Sequence, residues 1–243
     1  MGGLDAVVAE LSRRLLASRL AGEAGRRLGV KHARGALLHG PPGCGKTLLA
    51  RELGRALGVE DDRISIVNGP ELLDKFVGVA EARVRGLFER SQQEWARYRL
   101  KIDGGAFARD ARQVDSTLTP PPPLNVVIFD EIDAVCRERG TLTGDTTGVR
   151  DGVTAQLLAC LDGVEDAGNV VVVARTNRPE LLDRALLRPG RLEIQIFVPP
   201  PDASGRRAVW DVHASRLVAA GALDDGAQHL IDDAAFFADG GAA

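Results

Sequence analysis

Residues 36–47 read Ala-Leu-Leu-His-Gly-Pro-Pro-Gly-Cys-Gly-Lys-Thr, and this stretch decides the fold. Its second part, from Gly40 to Thr47, is a complete G-x-x-x-x-G-K-T phosphate loop. Ahead of it, Ala36-Leu37-Leu38-His39 reads as a short buried strand. Behind it, Leu48, Leu49, Leu53 and Leu57 recur at helical spacing until Gly58 supplies a C-cap. Glycines at 40, 43 and 45 let the backbone turn its N–H groups toward a phosphate chain, and the following helix adds the partial positive charge of its N-terminus. Lys46 is placed to reach the β- and γ-phosphates, and the Thr47 hydroxyl to hold Mg²⁺. Pro42, Gly43, Cys44, Gly45, Lys46, Thr47 and Leu48 form the candidate nucleotide-binding set.

Working outward, five strand-like runs alternate with helical segments, at 36–39, 63–67, 125–129, 169–174 and 192–198. That alternation predicts an α/β fold, a parallel five-stranded sheet sandwiched by helices. Val126-Val127-Ile128-Phe129 is apolar throughout, as a central strand covered on both faces should be. Helices are expected over 7–20 and 204–219. The pattern breaks between about 95 and 124, where the chain passes Asp103-Gly104-Gly105 and ends in Pro120-Pro121-Pro122-Pro123. Four successive prolines cannot continue a helix, so this stretch is expected to be a surface insertion acting as a spacer.

The 243 residues suffice for one large α/β domain with a small appendage. A net charge of -3 argues against a general nucleic-acid binder. Three cysteines, at 44, 136 and 160, form no C-x-x-C pair and point to neither a disulfide framework nor a zinc site. No apolar run approaches the length of a membrane span, so a cytoplasmic location is expected, with membranes reached only through partners.

A second half of the site is written where the run Val126–Phe129 ends in Asp130-Glu131. Asp130 is suited to hold Mg²⁺, and Glu131 to accept a proton from water attacking the γ-phosphate. Asn177, at the end of the run beginning Val170-Val171-Val172-Val173, is suited to orient that water. Arg188 and Arg191 flank a Pro-Gly turn and could offer two guanidinium groups to phosphate from outside the pocket.

Taken together, GPPGCGKT, VVIFDEID, ARTNRPELLDRALLRPGR and the terminal strand resemble a AAA+ ATPase of the type built into hexameric unfoldases. Within that family the chain resembles more closely the first ATPase domain of the vesicle-fusing group. The residues carrying this closer likeness include GGLDAVVAELSRRLLASRL, IVNGPELLDKFVG and TTGVRDGVTAQLLACLDGVE. The resemblance implies a P-loop NTPase fold, with the large ATP-binding subdomain at 1–203 and the beginning of a truncated helical lid at 204–243. It implies ATP and Mg²⁺ as cofactors, Gly2 and Gly3 against adenine, and His213 near the ribose. Asn177 matches the residue called sensor 1, and Arg188 and Arg191 match arginine fingers acting on ATP of the adjacent subunit. Phe76, Val77 and Gly78 match the pore loop that grips substrate polypeptide. The partners implied are a homo-hexamer and SNARE complexes reached through SNAP-type adaptors, at Golgi and vesicle membranes. Two alternatives stay open: an unfoldase with another client, as in the valosin-containing-protein group, and an ATP-binding assembly module with little hydrolysis. The pore loop departs from its relatives, since Gly78-Val79-Ala80-Glu81 stands where Gly-Glu-Ser-Glu is usual.

Overall fold

A computed structural model describes residues 2–20, 33–73, 78–103, 120–138, 147–163 and 169–221. In chain order the elements are α1 (Asp5–Leu20), β1 (Gly35–His39), α2 (Lys46–Ala56), β2 (Ile64–Asn68), α3 (Gly69–Leu73), α4 (Val79–Asp103), β3 (Asn125–Asp130), α5 (Thr147–Gly163), β4 (Val170–Thr176), β5 (Ile194–Phe197) and α6 (Ala203–Ala219). The five strands form one sheet in the order β2-β3-β4-β1-β5, and every pairing is parallel. The expected α/β architecture is the observed one.

Successive side chains of a strand point to opposite faces, and the sheet uses this to build two cores. On one face, Leu37, Val127, Phe129, Val170, Val172 and Ala174 pack with Phe88 of α4 and Leu157 and Leu161 of α5. On the other, Ala36, Leu38, Val126, Ile128, Val171 and Val173 pack with Leu11 and Leu15 of α1 and Leu49 and Leu53 of α2. The run Val126–Phe129 is buried at every position because both faces are covered.

One boundary differs from the sequence reading. The helix α4 continues to Asp103, so residues 95–103 belong to it and not to an insertion starting near 95. The reason is packing at helical spacing: Tyr98 is buried, and its ring lies 5.3 Å from that of Trp95. The helix is described as far as Asp103, and the middle of the expected insertion (104–119) lies outside the described residues. Most of the expected lid segment, from residue 222 onward, lies outside them too. Among the described residues no helix is long and apolar enough to cross a membrane.

Candidate functional site

The phosphate loop joins β1 to α2 at the C-terminal edge of the sheet. Gly45 caps α2 with φ 80°, a left-handed conformation that a side chain would strain. Lys46 is buried, with its ammonium folded back into the loop, donating to the carbonyl of Gly40 at 2.9 Å and to that of Pro41. Burial holds the Lys46 ammonium below its ordinary pKa, and the nearby Arg175 guanidinium pushes the same way. These loop carbonyls occupy donors that a phosphate group would otherwise take.

Beside the loop lies a cavity of about 280 Å³ lined by Gly2, Leu4, Gly43, Cys44, Gly45, Leu48, Pro199, Pro201, Val209, Val212 and His213. The expected base-side residues Gly2 and His213, from opposite ends of the described chain, therefore meet across the phosphate loop. Leu48 is 53% exposed, the inverse of a core position, because it faces this cavity. Gly3 stands just behind, with a β-carbon position only 2.5 Å from Gly205 Cα, so α6 approaches too closely for any side chain there.

The acidic edge is assembled by sheet register. Phe129 of β3 aligns with Ala174 of β4, which sets Asp130 beside Arg175. The Thr47 hydroxyl donates to Asp130 Oδ2 at 3.3 Å. Two hard oxygen donors at this separation, from the start of α2 and the end of β3, fit the small, oxygen-seeking Mg²⁺ ion. Glu131 follows in a left-handed backbone conformation (φ 51°), the one non-glycine residue with positive φ among the described residues. Gly69 lies under it: a β-carbon there would collide with the Glu131 carbonyl, so α3 can start beneath the acidic edge only without a side chain.

Asn177 is exposed at the end of β4. The strand end is tied to the acidic loop by the Thr176 hydroxyl, which donates to Asp133 Oδ1 at 2.6 Å and accepts from the Arg178 N–H at 2.9 Å. The two arginines of the Pro-Gly turn differ. Arg191 forms a bidentate pair with Asp162 of α5, at 2.7 Å to each oxygen, and donates to the Ala185 carbonyl at 2.5 Å. The guanidinium holds the Asp162 carboxyl below its usual range. Arg188 is exposed, and among the described residues no hydrogen bond or ion pair engages its guanidinium. Phe76 and Val77 of the expected pore loop lie outside the described residues, and Gly78 is exposed ahead of α4.

Sequence reasoning missed Arg175, Thr176, Asp133 and Gly69. The Arg175 guanidinium lies against Asp130 Oδ1 and stands 3.7 Å from Glu131 Oε1. A signal for it existed: a single charge interrupting the otherwise uncharged run Val170–Thr176. The other three carry no signal apart from their neighbours across the sheet.

Comparison with known proteins gives a consistent picture. The model of the ATPase family associated with various cellular activities (AAA) matches residues 36–200. The chain is 46% identical over 218 residues to a vesicle-fusing ATPase of Arabidopsis thaliana, covering 89% of this chain and 26% of that protein. It is 42% identical over 226 residues to the vesicular-fusion protein sec18 of Schizosaccharomyces pombe, covering 93% and 26%. A protein of Corynebacterium jeikeium described as a AAA ATPase forming ring-shaped complexes is 39% identical over 214 residues, covering 88% and 36%. The chain thus spans about a quarter of the length of its vesicle-fusing relatives.

Proposed function

The chain belongs to the AAA family of ATPases, and from that premise we propose that it is the ATP-hydrolysing motor domain of a vesicle-fusing ATPase. In this reading it works in a homo-hexameric ring that takes apart SNARE complexes presented by SNAP-type adaptors. Its place is the cytoplasm, at Golgi and vesicle membranes that it reaches through those partners. The observation that carries the reading is the meeting of Thr47 Oγ1 and Asp130 Oδ2 at 3.3 Å, directly beside a lysine buried in a phosphate loop.

The chemistry follows from the positions. Adenine enters the cavity between Gly2, Leu48 and Val212, with His213 on the ribose side. The phosphates lie over the loop, and Lys46 exchanges the Gly40 and Pro41 carbonyls for phosphate oxygens. Mg²⁺ held by Thr47 and Asp130 would offset the charge that develops on the transferred phosphoryl group. Glu131 accepts a proton from the attacking water, which the Asn177 amide orients. Arg188, exposed and with its guanidinium unbonded among the described residues, serves the γ-phosphate of the next subunit. Arg191 supports it by fixing the turn to Asp162. Phe76, Val77 and Gly78 grip the substrate polypeptide.

The test is ATPase activity measured against protein concentration, for the wild type and for Arg188→Ala. Specific activity that rises with concentration and collapses in the variant supports a site shared between subunits. Nucleotide binding with background turnover at every concentration would overturn the motor reading for these 243 residues.

A further inference from the structure

None of the steps above uses Arg175, although it stands between both halves of the site. Its side chain is 17% exposed. Its Nε lies against Asp130 Oδ1, and its Nη2 is 3.7 Å from Glu131 Oε1. The two oxygens of Asp130 are therefore divided: Oδ2 receives the Thr47 hydroxyl and Oδ1 faces the guanidinium. The other cation of the site, Lys46, is turned into the loop carbonyls. Among the described residues the acidic edge thus holds the carboxylates of Asp130 and Glu131 beside one fixed cation, with Asp133 tied to Thr176 just beyond.

A guanidinium keeps its proton in a protein, so this charge cannot be titrated away at any ordinary pH. Its Nε and Nη2 face one carboxylate each, Asp130 in contact and Glu131 at ion-pair distance, so one guanidinium neutralises charge on both. It also cancels part of the charge that would attract a divalent ion, and repels that ion directly across a partly buried site. We infer that Arg175 is a positioning residue that holds Asp130 and Glu131 together and stands in for the divalent cation in the nucleotide-free site, so that metal enters only with the nucleotide's phosphates. The inference rests on the proposed role of Thr47 and Asp130 as metal holders. Two consequences follow. An empty subunit keeps the Glu131 carboxylate within ion-pair range of that guanidinium, and the triphosphate supplies the negative charge that tips the balance toward metal.

Mn²⁺ is the probe, followed by its electron paramagnetic resonance signal as it is titrated into the 243-residue chain with and without a non-hydrolysable ATP analogue. The wild type should bind Mn²⁺ weakly alone and tightly with the analogue. Tight binding by the wild type alone would overturn the inference without any variant. Arg175→Met should bind Mn²⁺ alone about tenfold more tightly than the wild type or beyond, since a repelling charge has gone. Arg175→Lys, which keeps the charge but not the fork, should bind Mn²⁺ alone as weakly as the wild type. A Met variant indistinguishable from the wild type without nucleotide sinks the role of Arg175 and leaves the metal site standing. If neither protein gains Mn²⁺ affinity with the analogue, the metal role of Thr47 and Asp130 fails, and the inference falls with it.

Discussion

The phosphate loop and the acidic edge face the same space but are built in opposite ways. The loop is eight consecutive residues running from the end of β1 into the first turn of α2, and it satisfies its own lysine with its own carbonyls. The edge draws Thr47 from α2, Asp130 and Glu131 from the end of β3, Asp133 from the turn beyond, and Arg175 and Thr176 from β4. Its geometry depends on one register, the alignment of Phe129 with Ala174. A local device of this kind serves to capture phosphate whatever the rest of the sheet does. A device shared between strands can instead feel whether those strands keep their places. We therefore propose affinity as the task of the loop and turnover as that of the edge.

The most severe way to break it is Lys46→Ala. ATP binding measured by calorimetry should be lost, because no other buried cation of the loop can replace the ammonium; unchanged affinity would remove the loop from its role. Next comes Glu131→Gln, which should keep ATP affinity while turnover falls by about 10²–10⁴-fold, the usual contribution of a general base. Wild-type turnover in that variant would leave the edge without its proposed function. The gentlest probe is Thr176→Val. It removes the hydroxyl between Asp133 and the Arg178 N–H and should cost about 1–3 kcal/mol of stability in denaturant melts, as loss of a hydrogen bond to a charged group does. ATP affinity should stay where it was. If affinity drops as far as stability, loop and edge are one unit and the division between them is wrong.

The same division explains what could be read from the sequence. The loop, its flanking strand and its helix are consecutive, so spacing alone disclosed them. The five strands were legible because burial on both faces leaves unbroken apolar runs, such as Val126–Phe129 and Val170–Val173. The end of α4 is hard to read because the four prolines at 120–123 signal a break, whereas Trp95 and Tyr98 carry the helical spacing on past residue 95. Arg175 has no role legible within its own run, since its partner Asp130 lies on the strand beside it. Gly69 was silent for the same reason: its lack of a side chain matters only where the Glu131 carbonyl passes over it. Pairing of Arg191 with Asp162 separates two arginines that sequence treats alike, because one has a partner on α5 and the other does not.

The strand order has a consequence for how the protein is made. β1, which carries the phosphate loop, pairs only with β4 and β5, and both follow it late in the chain. During synthesis β1 has no hydrogen-bonding neighbour until Val170 and the residues after it have left the ribosome. At ordinary elongation speeds that wait is on the order of ten seconds, during which an apolar strand bearing Ala36, Leu37 and Leu38 is an open template for other chains. Nascent chains stalled before β4 should therefore depend on chaperones, and that dependence should end abruptly once the sheet can close around β1.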